Sequence, residues 1–164
     1  MNTENLDFFQ DHMSENVCFG CGILNDQGLQ IKSRWQGEES ICEWTPQPHH
    51  HGWSNLLNGG IMATIIDCHC MGTAMAYAYR SEGRSLDSLP EYRYATGSMN
   101  IKFIKPTSNL APVKLVARVI EEKGRKITLT CSLYSEDAET VTAEVIAIRV
   151  FDSSVNSPEN VFKS

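Results

Sequence analysis

The chain has 164 residues, 41% hydrophobic and 21% charged, the composition of one globular domain with a sizeable core and too short for two comfortable ones. Its net charge of −6 argues against nucleic acid as the main partner, because phosphate backbones are bound by clustered Lys and Arg. No basic segment followed by an apolar run opens the chain, so a soluble, cytoplasmic protein is expected, with its six cysteines as free thiols or metal ligands rather than disulfides.

Residues 5–14, with Phe8, Phe9 and Met13, read as a short helix within an N-terminal extension covering residues 1–16. A turn-rich loop follows, CFGCGILNDQGLQ. Residues 29–35 alternate with period two and residues 39–44 form a second strand after the Gln36-Gly37-Glu38 turn. Pro46 and Pro48 then break the sheet. Residues 59–79 read GGIMATIIDCHCMGTAMAYAY, apolar or small at helical spacing, and the helix is expected to end between Arg80 and Glu82. Strands are expected over residues 92–104, 113–119, 127–133 and 141–147, the last three as an antiparallel meander. A main domain over residues 17–151 would leave residues 152–164 as a polar, loosely ordered tail.

The segment from residue 59 is nearly as apolar on its other faces, so the helix is buried. Asp67 and His69 at its middle argue against a membrane span. Asp67 is its only carboxylate, and a buried carboxylate must be hydrogen-bonded or chemically employed. Asn58 suits the N-cap, and the bare N–H groups of Gly59 and Gly60 would receive a polarised carbonyl at the positive end of the helix dipole. Asp67 lies about 12 Å further up the axis at about 1.5 Å per residue. A site using both ends therefore needs two antiparallel copies of the helix, which predicts a homodimer with two equivalent sites. The order of elements gives an α+β fold, one sheet curved around one helix, with an exposed edge strand that a second copy would cover.

Three stretches carry a resemblance to a known family. They are Cys18-Phe19-Gly20-Cys21-Gly22 with Asn25 and Gly28-Leu29; Asn58-Gly59-Gly60 with Asp67 seven residues past the second glycine; and Asn100-Ile101-Lys102-Phe103 before Pro106. Over residues 17–150 the chain resembles the hotdog-fold acyl-CoA thioesterases, in particular the phenylacetate-pathway-like branch. The resemblance implies a homodimer, often paired again into a tetramer, that hydrolyses acyl-CoA without a cofactor. It implies Asp67 as general base or nucleophile, the Gly59 N–H as the donor to the thioester carbonyl, and Thr96 where some relatives have a water-orienting hydroxyl. This chain has Asn58 where relatives often carry His, and Gly52 where some carry Asn or Gln.

A thioester needs little activation, so one or two backbone donors and one positioned base suffice. Substrate contacts are expected at Asn58, Gly60, Thr96 and His51, with Trp53 a further candidate for the acyl pocket. Lys105, Arg125 and Lys126 are the cationic candidates for the CoA phosphates. Two other functions compete: a non-catalytic acyl-CoA binding protein using the same groove, and a zinc-stabilised interaction module. The second could draw four ligands from Cys18, Cys21, Cys68, His69, Cys70 and the histidines at 49–51; Cys68 and Cys70 diverge on a helix and cannot easily share one ion, so the cysteines are read as inward-packed thiols and no metal is assigned.

Overall fold

The computed structural model describes residues 6–155. Six strands and one long helix follow in the order β1 (Ser33–Gln36), β2 (Glu39–Trp44), α1 (Gly59–Ser81), β3 (Tyr92–Phe103), β4 (Val113–Lys123), β5 (Lys126–Ser135) and β6 (Ala138–Asp152). The strands form one sheet in the order β1-β2-β4-β5-β6-β3, antiparallel throughout. α1 packs on all six of them, so the expected α+β layout, a sheet wrapped on a single helix, is the one observed. β5 shows why: Ile127, Leu129, Cys131 and Leu133 are buried while the residues between them are half-exposed, the period-two alternation of a sheet with one face on a core. Ile65, Ile66, Cys70 and Ala74 of α1 fill the other side of that core.

The meander strands are longer than the alternating runs alone suggested, and their turns explain the extension. Gly124 takes φ +62 and lets β4 and β5 pair as far as Lys123 and Lys126. Glu136 and Asp137 both have positive φ, at 51 and 66, the mirror-image two-residue turn whose twist suits a hairpin, and Ser135 pairs with Ala138 across it. β6 continues to Asp152 because β3 supplies a partner from Val141 to that end. The expected tail beyond residue 155 lies outside the described residues.

Two expectations near the N-terminus are corrected. From residue 6 onward the expected helix over residues 5–14 is only a 3₁₀ turn, Phe9–His12. Both Phe9 and its neighbour Gln10 are buried, so side-chain anchoring rather than helical periodicity sets this segment. Phe9 meets the Trp35 ring edge-on at 5.2 Å, and Gln10 accepts from Ser33 N at 2.6 Å while its amide donates to Ser33 Oγ at 3.2 Å. The first strand starts at Ser33 rather than at residue 29. The Leu29 and Ile31 N–H groups instead donate to the carbonyls of Phe19 and Gly20, tying this stretch to the cysteine loop.

His69 explains how polar groups are tolerated inside. It is fully buried, with Nδ1 2.8 Å from Ser33 Oγ and Nε2 3.2 Å from Ser40 Oγ. Ser40 Oγ lies 2.6 Å from Thr73 Oγ1, which donates to the His69 carbonyl at 2.7 Å. Replacing His69 with Ala removes the imidazole partner of the Ser33 and Ser40 hydroxyls and opens a cavity, and is expected to cost about 3–5 kcal/mol in urea unfolding. Burial pushes the imidazole pKa down from 6.5 to about 4, so the native state keeps it neutral while the unfolded chain takes up a proton. Stability is therefore complete above pH 6.5 and falls as the pH drops toward 4, by about 3 kcal/mol from this residue. This part of the acid loss should be absent in the Ala variant.

Candidate active site

The N-terminus of α1 is set by Asn58, whose extended backbone (φ −62, ψ 133) and side-chain oxygen, accepting from Ile61 N at 3.1 Å, make it the N-cap. Its own N–H donates to the His50 carbonyl at 3.0 Å, and Leu57 N donates to Thr107 O at 2.8 Å, fixing the preceding loop. The N–H groups of Gly59 and Gly60 have no acceptor among the described residues. Gly59 lines a cavity of about 520 Å³ together with Gly52, Trp53, Asn58, Phe103 and Lys105. Trp53 is 84% exposed, so it is a wall of this opening and not a core anchor. His51 and Gly60 are exposed and outside this lining.

Asp67 faces a second cavity, of about 640 Å³. One stripe of α1 lines it with Asp67, Cys68, Met71, Met75 and Tyr79, positions that recur at helical spacing. β3 supplies Tyr94 and Thr96 from the facing side. The pairing of β3 with β6 shifts between Thr96 and Ser98, leaving Gly97 as the extra residue. A Cβ on Gly97 would come within 3.0 Å of the Ile148 side chain, so glycine fits this bulge. From beside the bulge the Thr96 hydroxyl donates to Asp67 Oδ1. Burial raises the Asp67 pKa above the usual carboxylate value; the Thr96 bond pulls the other way and the nearby Cys18 adds to the rise. A half-buried carboxylate oriented by one hydroxyl can act as base or nucleophile. Thr96→Val keeps the shape and removes the donor, and should lower turnover roughly 10- to 100-fold with little change in KM.

The structure thus joins Asp67 to Thr96 and Asn58 to Gly59, in separate cavities of one chain. One feature escaped the sequence reading, and one was weighed there and set aside. Tyr94 has a buried hydroxyl without a partner among the described residues, and burial pushes its pKa up to about 12, so at neutral pH it is an O–H donor on the cavity wall. Strand alternation alone marks it as an ordinary sheet aromatic. The other is the grouping of Cys18 and Cys21 with Cys68. His69 belongs to the serine network, and Cys70 faces Cys131 in the core.

A family model described as the Thioesterase superfamily matches residues 54–142, more than half of the chain. The chain belongs to the thioesterase superfamily. Asn58, Gly59, Gly60, Asp67 and Thr96 all lie inside the matched region of this thioesterase-superfamily chain, whereas His51, Cys18 and Cys21 lie outside it. It is similar to acyl-coenzyme A thioesterase THEM4 of Bos taurus, 26% identical over 144 residues, covering 85% of this chain and 53% of that protein. With the Rattus norvegicus protein of the same name it shares 29% over 141 residues, covering 85% and 55%. The chain therefore spans about half the length of the curated relatives it matches. A solved thioesterase superfamily protein from Shewanella loihica PV-4 is 30% identical with a TM-score of 0.60, covering 72% of this chain and 89% of that one. The PaaI protein from the phenylacetic acid degradation operon of E. coli shares the fold, with a TM-score of 0.61 at 10% identity over 76% and 82% of the two chains. The six-stranded sheet around one helix is the hotdog fold of these thioesterases.

Proposed function

We propose that this chain hydrolyses acyl-CoA thioesters to free acid and CoA, in two equivalent sites of a homodimer that each draw on both copies. The observation that carries the reading is the division of the chemistry along α1. Asp67, held by Thr96, faces one cavity, and Gly59, whose N–H has no helical acceptor, lines another, eight residues and about 12 Å back along the same helix. An antiparallel second copy would bring one chain's carboxylate to the other's donors. The twelve-residue β3 ends the sheet, and Phe103 at its end and Ile104 just after it are about half-exposed, a surface suited to a twin.

In the completed site the thioester carbonyl accepts from Gly59 N–H, each such donor being worth roughly 10²–10³-fold in rate. Asp67 either takes a proton from water attacking the carbonyl carbon, and the thiolate of CoA leaves with the acid formed directly, or attacks that carbon itself, expelling the thiolate and forming a mixed anhydride that water then opens to release the acid and restore the carboxylate. Met71, Met75 and Tyr79 give the acyl group an apolar bed, and Lys105 beside the donor cavity is placed to meet phosphate. The names of the curated relatives support CoA as the carrier. Thiol release from a panel of straight-chain and aromatic acyl-CoAs, run beside light scattering, tests the reading. Catalytic release by a species of twice the chain mass is expected. Acyl-CoA binding without release would make the chain a carrier, the outcome Gly52 would favour, and a fully active monomer would remove the shared site.

A further inference from the structure

Three thiols on the cavity wall are assembled in a way that ester hydrolysis does not need. Cys18 and Cys21 come from the loop before β1, and Cys68 from the middle of α1, fifty residues on. Their sulfurs all lie within 4.8 Å of one another, and all three are free of disulfides. Cys18 Sγ and Cys68 Sγ are 3.7 Å apart. That is far beyond a disulfide bond and close to the edge of a tetrahedron of thiolates, about 3.8 Å for metal–sulfur bonds of about 2.3 Å.

The loop is shaped around these sulfurs. The run Cys18-Phe19-Gly20-Cys21-Gly22 places two glycines where side chains would collide with the cluster or its frame. A Cβ on Gly20 would sit 2.2 Å from Cys68 Sγ, and one on Gly22 would sit 2.5 Å from Cys18 N. Backbone and side-chain amides point at the sulfurs: Gly20 N donates to Cys18 Sγ at 3.4 Å, and Asn16 Nδ2 to Cys21 Sγ at 3.3 Å. N–H donors to sulfur are the outer partners that hold thiolate ligands in place. Asn16 is itself fixed, its Oδ1 accepting from Cys18 N at 2.9 Å.

We propose that Cys18, Cys21 and Cys68 bind one soft divalent ion of the zinc class per chain, independently of whether Asp67 is catalytic. Three thiolates supply three corners of a tetrahedron, and softness selects zinc over magnesium or calcium. No fourth His, Cys, Asp or Glu is grouped with them among the described residues, so solvent from the cavity that all three line completes the coordination. The ion would pin the N-terminal loop to α1 at the residue next to Asp67.

The test is metal binding by the full chain, prepared reduced, stripped with a chelator and titrated with Zn(II) against a chromophoric competitor. One zinc per chain is expected. Co(II) should give sulfur-to-metal charge-transfer absorption and the intense d–d bands of tetrahedral coordination. Cys18 is exposed, so Cys18→Ser should fold normally and lose zinc affinity by about 100-fold or more; Asn16→Ala, which removes an outer partner, should lose about 10-fold. Substoichiometric zinc, a Cys18→Ser affinity equal to wild type, a Co(II) complex without sulfur charge transfer, or a Cys18–Cys68 disulfide persisting in reductant would each overturn the proposal. None of these readings depends on turnover, so they stand apart from the test of hydrolysis.

Discussion

Substitution of Asp67 by asparagine should lower acyl-CoA hydrolysis about 10³-fold while leaving the fold and substrate affinity nearly unchanged. Asparagine keeps an oxygen for the Thr96 hydroxyl to donate to, so the link between α1 and β3 survives. What disappears is the carboxylate that can accept a proton from water or attack a carbonyl; general-base catalysis alone accounts for about 10²–10⁴-fold. The substitution also removes a charge that burial disfavours, so the variant should unfold at equal or higher urea concentration than wild type. Steady-state thiol release together with urea unfolding separates the effects. Loss of activity with loss of stability would make Asp67 a structural residue, and unchanged activity would remove it from the chemistry.

Gly59→Pro should reduce turnover about 10²–10³-fold by deleting one backbone donor without disturbing the helix. Proline is favoured at the first helical position, where its missing N–H has no intrahelical use. Asn58 already has the extended backbone that a residue before proline requires. A Cβ at Gly59 meets only the Phe103 ring, at 3.8 Å, an ordinary contact. Gly59→Ala restores the N–H while adding the methyl group, and is the control: near-normal turnover in Ala and loss in Pro assigns the effect to the donor. Equal activity in both would place the carbonyl elsewhere.

These experiments concern residues that a reader of the sequence would single out, for a physical reason. A carboxylate in an oily helix and a glycine pair after an N-cap are local anomalies, and local anomalies are visible without coordinates. The fold was legible for a similar reason: period two in residues 127–133 and a long apolar helix fix one sheet around one rod. Side-chain anchoring across the chain was not legible. Phe9 and Gln10 look like part of a helix until Trp35 and Ser33 are seen to hold them. The pairing of Thr96 with Asp67 depends on a bulge at Gly97, which strand periodicity does not reveal, and the resemblance had suggested water rather than the carboxylate as the partner of that hydroxyl. The cysteines were weighed as one set with His69 and Cys70. Cys68 and Cys70 do diverge, but Cys68 alone is enough to join the loop pair.

The shared site is most directly tested by a mixed dimer, in which one chain carries Asp67→Asn and the other Gly59→Pro, isolated by two different affinity tags after co-expression. If each site takes its carboxylate from one chain and its donor from the other, one of the two sites is intact, and the mixed dimer should recover about half of wild-type activity. If each chain forms its own site, both sites are damaged. Activity no greater than that of the two parent variants would contradict the account.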